Sequence, residues 1–224
     1  TQNCTTLNNE YFPKTLNSGW YAVEGNVTVL NQIEISGNVN LILTDGCKLT
    51  ANNGIHLTDG NVLNIYVQSG ETGKLEVSCT DARSAIGGNN SASPGGNGES
   101  CGDLNIHGGT VNVSASYTSI GGAMSAAGTG GNGGTVTIYN GKLTASSENA
   151  TAIGGGTSSG TNGNCGKTVI YGGSVSVYSE KRIAFDHAPT YGTNYIPKVT
   201  YGESDKSTVT KVNPDNSVYT SNKY

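Results

Sequence analysis

Three ten-residue stretches of the chain align without gaps: LNIHGGTVNV at 104–113, VTIYNGKLTA at 136–145 and TVIYGGSVSV at 168–177. Their aligned residues Ile106, Ile138 and Ile170 recur at intervals of 32 positions. Apolar and polar residues alternate within each half of a stretch, which is the pattern of a strand with one buried face. Gly-Gly or Asn-Gly separates the halves, and these residues permit a sharp corner. The repeat therefore predicts short strands joined by tight corners.

A third short apolar element follows each stretch, as SIGG at 119–122, AIGG at 152–155 and AFDH at 184–187. Less regular copies precede the three stretches, at 33–35, 39–43, 48–51, 54–57, 63–66, 74–77 and 85–88. Such a unit cannot bury its own apolar face, but stacked units bury it against their neighbours. The sequence therefore predicts an all-β fold, a right-handed single-stranded parallel β-helix (solenoid) of about five to six coils.

Both ends of the chain differ in composition from the repeats. Residues 1–24 include Trp20, and residues 187–224 carry Pro189, Pro197 and Pro214. The open ends of a solenoid are exposed strand edges that recruit other chains unless they are covered. We therefore expect an N-terminal cap at 1–24, parallel β-helix coils at 25–186 and a C-terminal cap at 187–224.

The composition argues against some classes of binding partner. Charged residues make up 12% of the chain, the net charge is −4, and we expect the few Lys and Arg residues to form no basic stripe. This argues against nucleic acid, which needs clustered cations. No apolar run is long enough for membrane insertion. Abundant Asn, Thr and Gly with little Lys and Glu is typical of secreted bacterial modules, so we expect an extracellular location.

Four aromatic residues, Tyr66, His107, Tyr139 and Tyr171, occupy one register position in four successive coils. Each follows an inward Ile, so each is expected to point outward, about 4.8 Å from the next. Sugar rings can stack by their apolar faces on such a strip. The alternative is an aromatic ladder that only covers the corner. Both interpretations stay open at the level of sequence.

Glycine-rich loops follow each Ile-Gly-Gly, at 87–102, 121–134 and 154–166. Loops on one side of a solenoid often form its binding face. The alternative is a compact arch of Gly, Ser and Asn that binds no ligand.

A dense cluster of ionisable residues spans 180–187. Lys181, Arg182 and His187 are candidate contacts for an acidic sugar. The alternative is that the cluster only solvates the end of the stack.

The five cysteines show no zinc-site spacing. Cys101 and Cys165 each lie five residues before an aligned Ile, which places them in one column two coils apart with Gly133 between them. That separation is about 9.6 Å, whereas a disulfide needs less than about 7 Å between Cα atoms. Cys79 is expected to be buried, and Cys4 and Cys47 have no assignable partner.

The sequence predicts no catalytic residues, no cofactor and no metal. Glycoside hydrolysis needs two facing carboxyl groups, and no repeat column supplies such a pair. The chain also lacks a Gly-x-Ser-x-Gly elbow. A Ca²⁺ site built from backbone carbonyls would leave no signature in the sequence.

Three motifs resemble one family of proteins: SGWYAVEGNVT at 18–28, VNLILTDGCKLT at 39–50, and the Ala-Ile-Gly-Gly repeats. They look like secreted bacterial carbohydrate-binding-domain proteins of parallel β-helix type, with pectate-lyase-like architecture. The resemblance implies polysaccharide binding at the cell surface, sometimes with Ca²⁺. The closing TSNKY at 220–224 is similar to the end of a module that other domains flank. The catalytic Lys and Arg of pectate lyases, and their acidic Ca²⁺ cluster, have no counterpart matched residue by residue.

The leading hypothesis is a non-catalytic extracellular module that binds polysaccharide or a host or cell-surface glycan. One alternative is a polysaccharide lyase or hydrolase that acts on uronic-acid polymers. The other is a rigid structural spacer or adhesin stalk of a larger surface protein.

Overall fold

The structure is a computed structural model that describes residues 3–91, 93–186, 189–191, 198–203 and 210–212, the last two ranges by their backbone alone. These residues contain strands and no helix. The strands are β1 (Thr5–Leu7), β2 (Thr15–Val23), β3 (Asn26–Val29), β4 (Ile33–Leu43), β5 (Lys48–Ala51), β6 (Ile55–His56), β7 (Val62–Val67), β8 (Lys74–Cys79), β9 (Ile86–Gly87), β10 (Asp103–Ile106), β11 (Thr110–Ala115), β12 (Ile120–Gly121), β13 (Thr135–Ile138), β14 (Lys142–Ser147), β15 (Ile153–Gly154), β16 (Lys167–Ile170), β17 (Ser174–Ser179), β18 (Thr190–Tyr191), β19 (Lys198–Glu203) and β20 (Thr210–Val212).

The strands stack in parallel to form three faces. The first face contains β2, β4, β7, β10, β13, β16 and β18, and the second contains β3, β5, β8, β11, β14, β17 and β19. The third contains β6, β9, β12 and β15, and it joins the first through β4, which pairs with both β6 and β7. Between those pairings lies Gly37, whose φ of 79° needs glycine. The parallel β-helix predicted from the repeat is confirmed.

The core consists of columns of apolar side chains on all three faces. Ile106, Ile138 and Ile170 pair directly through the backbone, as their spacing predicts. Three of the columns are Ile65, Ile106, Ile138 and Ile170 on the first face, Leu49, Leu75, Val111, Leu143 and Val175 on the second, and Ile55, Ile86, Ile120 and Ile153 on the third. None of these side chains is more than 2% exposed. Each contributes about 1.5–3 kcal/mol through burial, so the columns hold the coils together.

Parallel pairing extends into both segments that the sequence analysis assigned to caps. At the N-terminal end, β1 pairs with β2, and β2 pairs along β4. At the other end, β18 extends the first face and β19 the second, where β20 joins β19 in antiparallel orientation. Parallel strand pairing therefore occurs on the cap side of both predicted boundaries, before residue 25 and after residue 186. The rest of the predicted C-terminal cap lies outside the described residues.

A side-chain amide covers the free edge of the second face at its N-terminal end. There β3 is the last strand of the sheet. Asn9 Nδ2 donates to the Asn26 carbonyl at 2.7 Å, and Asn9 Oδ1 accepts from the Thr28 amide at 3.1 Å. One amide thus supplies both the donor and the acceptor that a further strand would supply. This protects an edge that is otherwise open to another chain.

We predict that Asn9→Asp weakens this end of the solenoid, because the carboxylate cannot donate to the Asn26 carbonyl. The free energy of unfolding in urea should fall by about 1 kcal/mol, and light scattering should show more self-association. Glu10→Gln, at the adjacent exposed position, is the control. Equal stability and equal scattering of the two variants would contradict the role of Asn9.

Candidate functional site

The predicted aromatic column forms on the first face as a continuous ladder. The ring centroids of Tyr66 and His107 are 4.3 Å apart, those of His107 and Tyr139 4.6 Å, and those of Tyr139 and Tyr171 5.2 Å. The interplanar angles are 9°, 6° and 8°. Each ring follows a strand residue of the buried Ile column, so the backbone register places the rings directly above one another.

The ladder presents the edges of its rings to solvent. Stacked, nearly parallel rings at these distances cover one another's faces. A sugar ring needs a free aromatic face on which to lie, and the inner rings Tyr66, His107 and Tyr139 have none to offer. The geometry therefore favours the ladder that covers the corner over the strip that binds sugars.

Trp20 also belongs to the ladder, although the sequence analysis placed it in a cap. Its ring lies 5.2 Å from that of Tyr66 at an interplanar angle of 29°. In the backbone register Trp20 pairs with Asn40, whereas Ile42 pairs with Tyr66. The indole thus reaches Tyr66 across β4. The repeat gave no signal for this contact, because it does not extend to β2.

His107 is enclosed between the rings of Tyr66 and Tyr139. Burial lowers the pKa of its imidazole, because a partly desolvated site disfavours the charged form. The folded state consequently binds the proton less tightly than the unfolded state does. Acidification below the pKa of an unfolded His, about 6.5, therefore removes stability.

We predict that His107→Tyr reduces the loss of stability on acidification while it preserves the stack. Between about pH 7.5 and about pH 5, the midpoint of thermal unfolding should fall more for the parent chain than for this variant. His56→Gln is the control, since His56 lies 2.7 Å from the Glu99 carboxylate and outside the ladder. Identical pH profiles for the parent chain and His107→Tyr would refute the prediction.

The glycine-rich loops pack on one another and use their backbone groups in doing so. Hydrogen bonds of 2.8–3.0 Å from backbone amides to backbone carbonyls join neighbouring segments of the three loops. They run from Glu99 to Asn89, Ala123 to Glu99, Gly131 to Ala123, Gly156 to Gly131 and Gly163 to Gly156. A Cβ atom on Gly131 would lie 1.9 Å from the Glu99 carbonyl oxygen. Glycine is needed there because two backbones approach closely. The loops form a compact arch, and their hydrogen bonds to one another occupy backbone groups that a ligand would use.

We predict that Gly131→Ala strongly destabilises the chain, because the added methyl group meets backbone that cannot move without breaking the arch. Gly95→Ala is the matched control in the same set of loops. A Cβ at Gly95 meets nothing within 4 Å, and its φ of 77° adds only the strain of the left-handed region, about 1–2 kcal/mol. Thermal unfolding should separate the variants, and a Gly131→Ala midpoint at or above that of Gly95→Ala would contradict the close packing.

Two members of the predicted charged cluster, Lys181 and Arg182, lie against different neighbours. Lys181 Nζ donates to Asn149 Oδ1 at 2.5 Å and lies 4.0 Å from Glu148 Oε1. Arg182 instead lines a cavity of about 400 Å³ with Asp186 and the ends of the glycine-rich loops, and Lys181 does not line it. His187 lies outside the described residues. The contact of Lys181 with a neighbouring corner is consistent with a structural role.

The cysteines follow the predicted arrangement where the structure tests it. Cys47, Cys79, Cys101 and Cys165 are free thiols, and Cys79 and Cys101 are buried. The Cys101 amide donates to Asn132 and the Gly133 amide to Asn164, so Gly133 lies between Cys101 and Cys165 in one column. Burial raises the pKa of the Cys79 thiol to about 11 and that of Cys101 to about 12. These two thiols stay protonated near neutral pH and are poor nucleophiles.

A groove lined mainly by polar side chains runs along the second face, and no motif in the sequence pointed to it. Its volume is about 300 Å³. Its side chains form in-register columns across β5, β8, β11 and β14, one of Thr50, Glu76, Asn112 and Thr144, and one of Ser78, Ser114 and Ser146. Columns arise because outward residues of parallel strands lie above one another, about 4.8 Å apart. The groove therefore repeats similar hydrogen-bonding groups from coil to coil.

A column of lysines borders this groove. Lys48, Lys74 and Lys142 start β5, β8 and β14, and Thr110 lies between the last two in the register. The column continues through Ser174 to the backbone position of Lys198. The expectation that Lys and Arg form no basic stripe was wrong. The missed signal is a Lys before the aligned inward Leu, in KLTA at 48–51, KLEV at 74–77 and KLTA at 142–145.

Two of these lysines are not neutralised by a neighbouring acid. Lys48 Nζ lies 2.7 Å from Glu76 Oε2. Lys74 and Lys142 are exposed, and neither forms an ion pair with a described residue. Like charges at adjacent positions of paired strands are destabilising, and Lys48 pairs directly with Lys74. The repulsion is confined to this pair, because Lys142 has the uncharged Thr110 and Ser174 as its neighbours in the register, and the Lys48–Glu76 ion pair offsets part of it.

Comparisons with protein-family models, curated proteins and solved structures find no match to the chain. The part of the chain that the structure describes has no helix with the length and apolar character to cross a membrane. Within the same part, no three His, Cys, Asp or Glu residues form a group able to hold a metal ion.

Proposed function

We propose that this chain is a non-catalytic extracellular module that binds polysaccharide along the groove of the second face. The observation that carries the proposal is the repetition of Thr, Asn and Ser side chains in register across four strands. A linear polysaccharide repeats its hydroxyl groups along its length. A surface that repeats donors and acceptors along one axis is complementary to such a polymer.

The chemistry of the groove suits sugar hydroxyl groups. Asn112 offers an amide donor and acceptor, and Thr50, Thr144 and Ser146 offer hydroxyls that both donate and accept. The apolar side chains of the same strands, such as Leu75 and Leu143, are buried in the core. Recognition here would rest on hydrogen bonds rather than on stacking against rings. The resemblance to carbohydrate-binding-domain proteins agrees with this proposal.

The acid content of the groove favours binding over hydrolysis. Glu76 is the one acidic side chain among the described residues that line it, and its carboxylate is paired with Lys48 at 2.7 Å. Hydrolysis of a glycosidic bond uses two carboxyl groups on opposite sides of that bond. The groove lacks the second group, so a role in retention of the polymer is the simpler one.

A rigid spacer without a ligand is the second candidate. The covered faces of the aromatic ladder and the hydrogen-bonded glycine-rich arch favour it, because both features stiffen successive coils. The two candidates differ in what they predict for the groove, since a spacer makes no use of its polar columns.

We predict that the double variant Asn112→Ala, Thr144→Ala loses retention on glycans. Each lost hydrogen bond is worth about 0.5–1.5 kcal/mol, so retention should fall about tenfold. The measurement is pull-down on insoluble cellulose, chitin and pectin, and affinity electrophoresis through soluble glycans. Thermal unfolding of the variant should stay close to that of the parent chain.

Ser36→Ala, at an exposed position of β4 on another face, is the control and should keep full retention. Tyr139→Ala should lower stability but leave the retention of the folded protein unchanged, since the ladder lies outside the groove. If the parent chain is retained on no glycan, the proposal fails and the spacer stands. If retention survives in the groove variant, binding takes place on another surface.

A further inference from the structure

We infer that the ligand of the groove is an anionic linear polysaccharide, extended along the solenoid axis with its acidic groups over the lysine column. This inference rests on the proposed function and specifies its ligand class. It is carried by the juxtaposition of two sets of side chains on one face, the column containing Lys48, Lys74 and Lys142, and the neighbouring polar column of Thr50, Glu76, Asn112 and Thr144.

The charge of the column is local. The chain as a whole carries a net charge of −4, so long-range attraction of anions does not explain binding. Lys74 and Lys142 are exposed and have no acidic partner among the described residues. Exposed ammonium groups keep their hydration and remain free to pair with carboxylate or sulfate groups. The one acid that lines the groove, Glu76, is already paired with Lys48.

The distances between the columns suit a sugar ring with an acidic substituent. Residues two apart on a strand point to the same side and lie about 7 Å apart, as do Lys142 and Thr144 on β14. A pyranose ring over the Thr and Asn column can therefore direct its acidic group to the lysine column. Along the axis, each coil adds about 4.8 Å, which is close to the length of one sugar unit in an extended chain.

The length of the lysine column sets the length of oligosaccharide that can contact all of it. Lys48 and Lys142 are three coils apart in the register, which corresponds to about 14 Å. A disaccharide cannot contact both ends of this span, whereas a tetrasaccharide can. Affinity should therefore increase with the length of the oligosaccharide up to about four units and then level off.

The same surface is poorly suited to nucleic acid. Proteins that bind single strands combine a positively charged groove with aromatic side chains on which the bases stack. Among the described residues, no aromatic side chain lines the groove, and Tyr178, which pairs with Ser146 in the register, lies beyond its end. The rings of the first face cover one another. A single row of lysines beside hydroxyl and amide groups fits an acidic sugar polymer better than a phosphate backbone with stacked bases.

The test compares polymers that differ in charge. Affinity electrophoresis of the full chain through carboxymethylcellulose, hyaluronan and neutral hydroxyethylcellulose should show at least tenfold stronger retention by one or both acidic polymers. Retention should weaken as NaCl is raised, because exposed pairs are screened by salt. Equal retention by acidic and neutral polymers overturns the inference, as does equal binding of oligodeoxythymidylate with the same dependence on Lys74.

Two double variants that change the net charge by the same amount separate local from overall charge. Lys74→Gln with Lys142→Gln should bind acidic polymers about tenfold more weakly, with an unfolding midpoint equal to or above that of the parent chain. Lys14→Gln with Lys167→Gln removes two exposed ammonium groups that lie away from the groove, and it should bind like the parent chain. Equal losses in both pairs would mean that only net charge matters and would overturn the inference.

The two proposals fail in different ways. If the groove variant loses binding to every polymer while the lysine variant loses none, the acidic ligand is wrong and the polysaccharide-binding groove stands. If no polymer, acidic or neutral, is retained by the parent chain, the proposed function itself fails.

Discussion

The in-register parallel stacking of one coil on the next is the constraint on which the rest of this molecule depends. Backbone hydrogen bonds hold Ile106, Ile138 and Ile170 one above another, so residues at equivalent positions of successive coils become a straight line of side chains. Repeated apolar residues form the core columns, repeated aromatic residues form the ladder, and repeated lysines form a row of charge. Interior and surface thus follow from one geometric rule.

The lines of side chains differ in what they contribute to the free energy of folding. The apolar columns supply most of the stability by removing carbon from water. Stacked rings add about 0.5–1.5 kcal/mol for each pair, which also fixes the corner between the first and second faces. The lysine row opposes folding where Lys48 pairs with Lys74. The Lys48–Glu76 ion pair offsets part of this repulsion.

The fold, the inward and outward faces and the aromatic column could be predicted from the sequence, because all three depend only on periodicity. The stacking that covers the ring faces could not be predicted, since side-chain torsions are set by packing between coils and not by the spacing of residues in the sequence. The contact of Trp20 with Tyr66 could not be predicted from the repeat. In the register Trp20 pairs with Asn40 and Tyr66 pairs with Ile42, so the two rings do not occupy one column of the backbone. The basic row was missed because charge was weighed over the whole chain, whereas register concentrates Lys48, Lys74 and Lys142 on one line.

The side-chain amide of Asn9, which covers the N-terminal edge of the second face, lies outside the repeated sequence of the coils. Asn9 hydrogen-bonds to β3, and the strands of the later coils pair with the strands of the adjacent coils. A tandem duplication of 32 codons inside the array would therefore add a complete rung, with its own core residues and its own segment of surface, without disturbing the terminus. Lineages that gain or lose such a unit would change the reach of the protein in fixed increments.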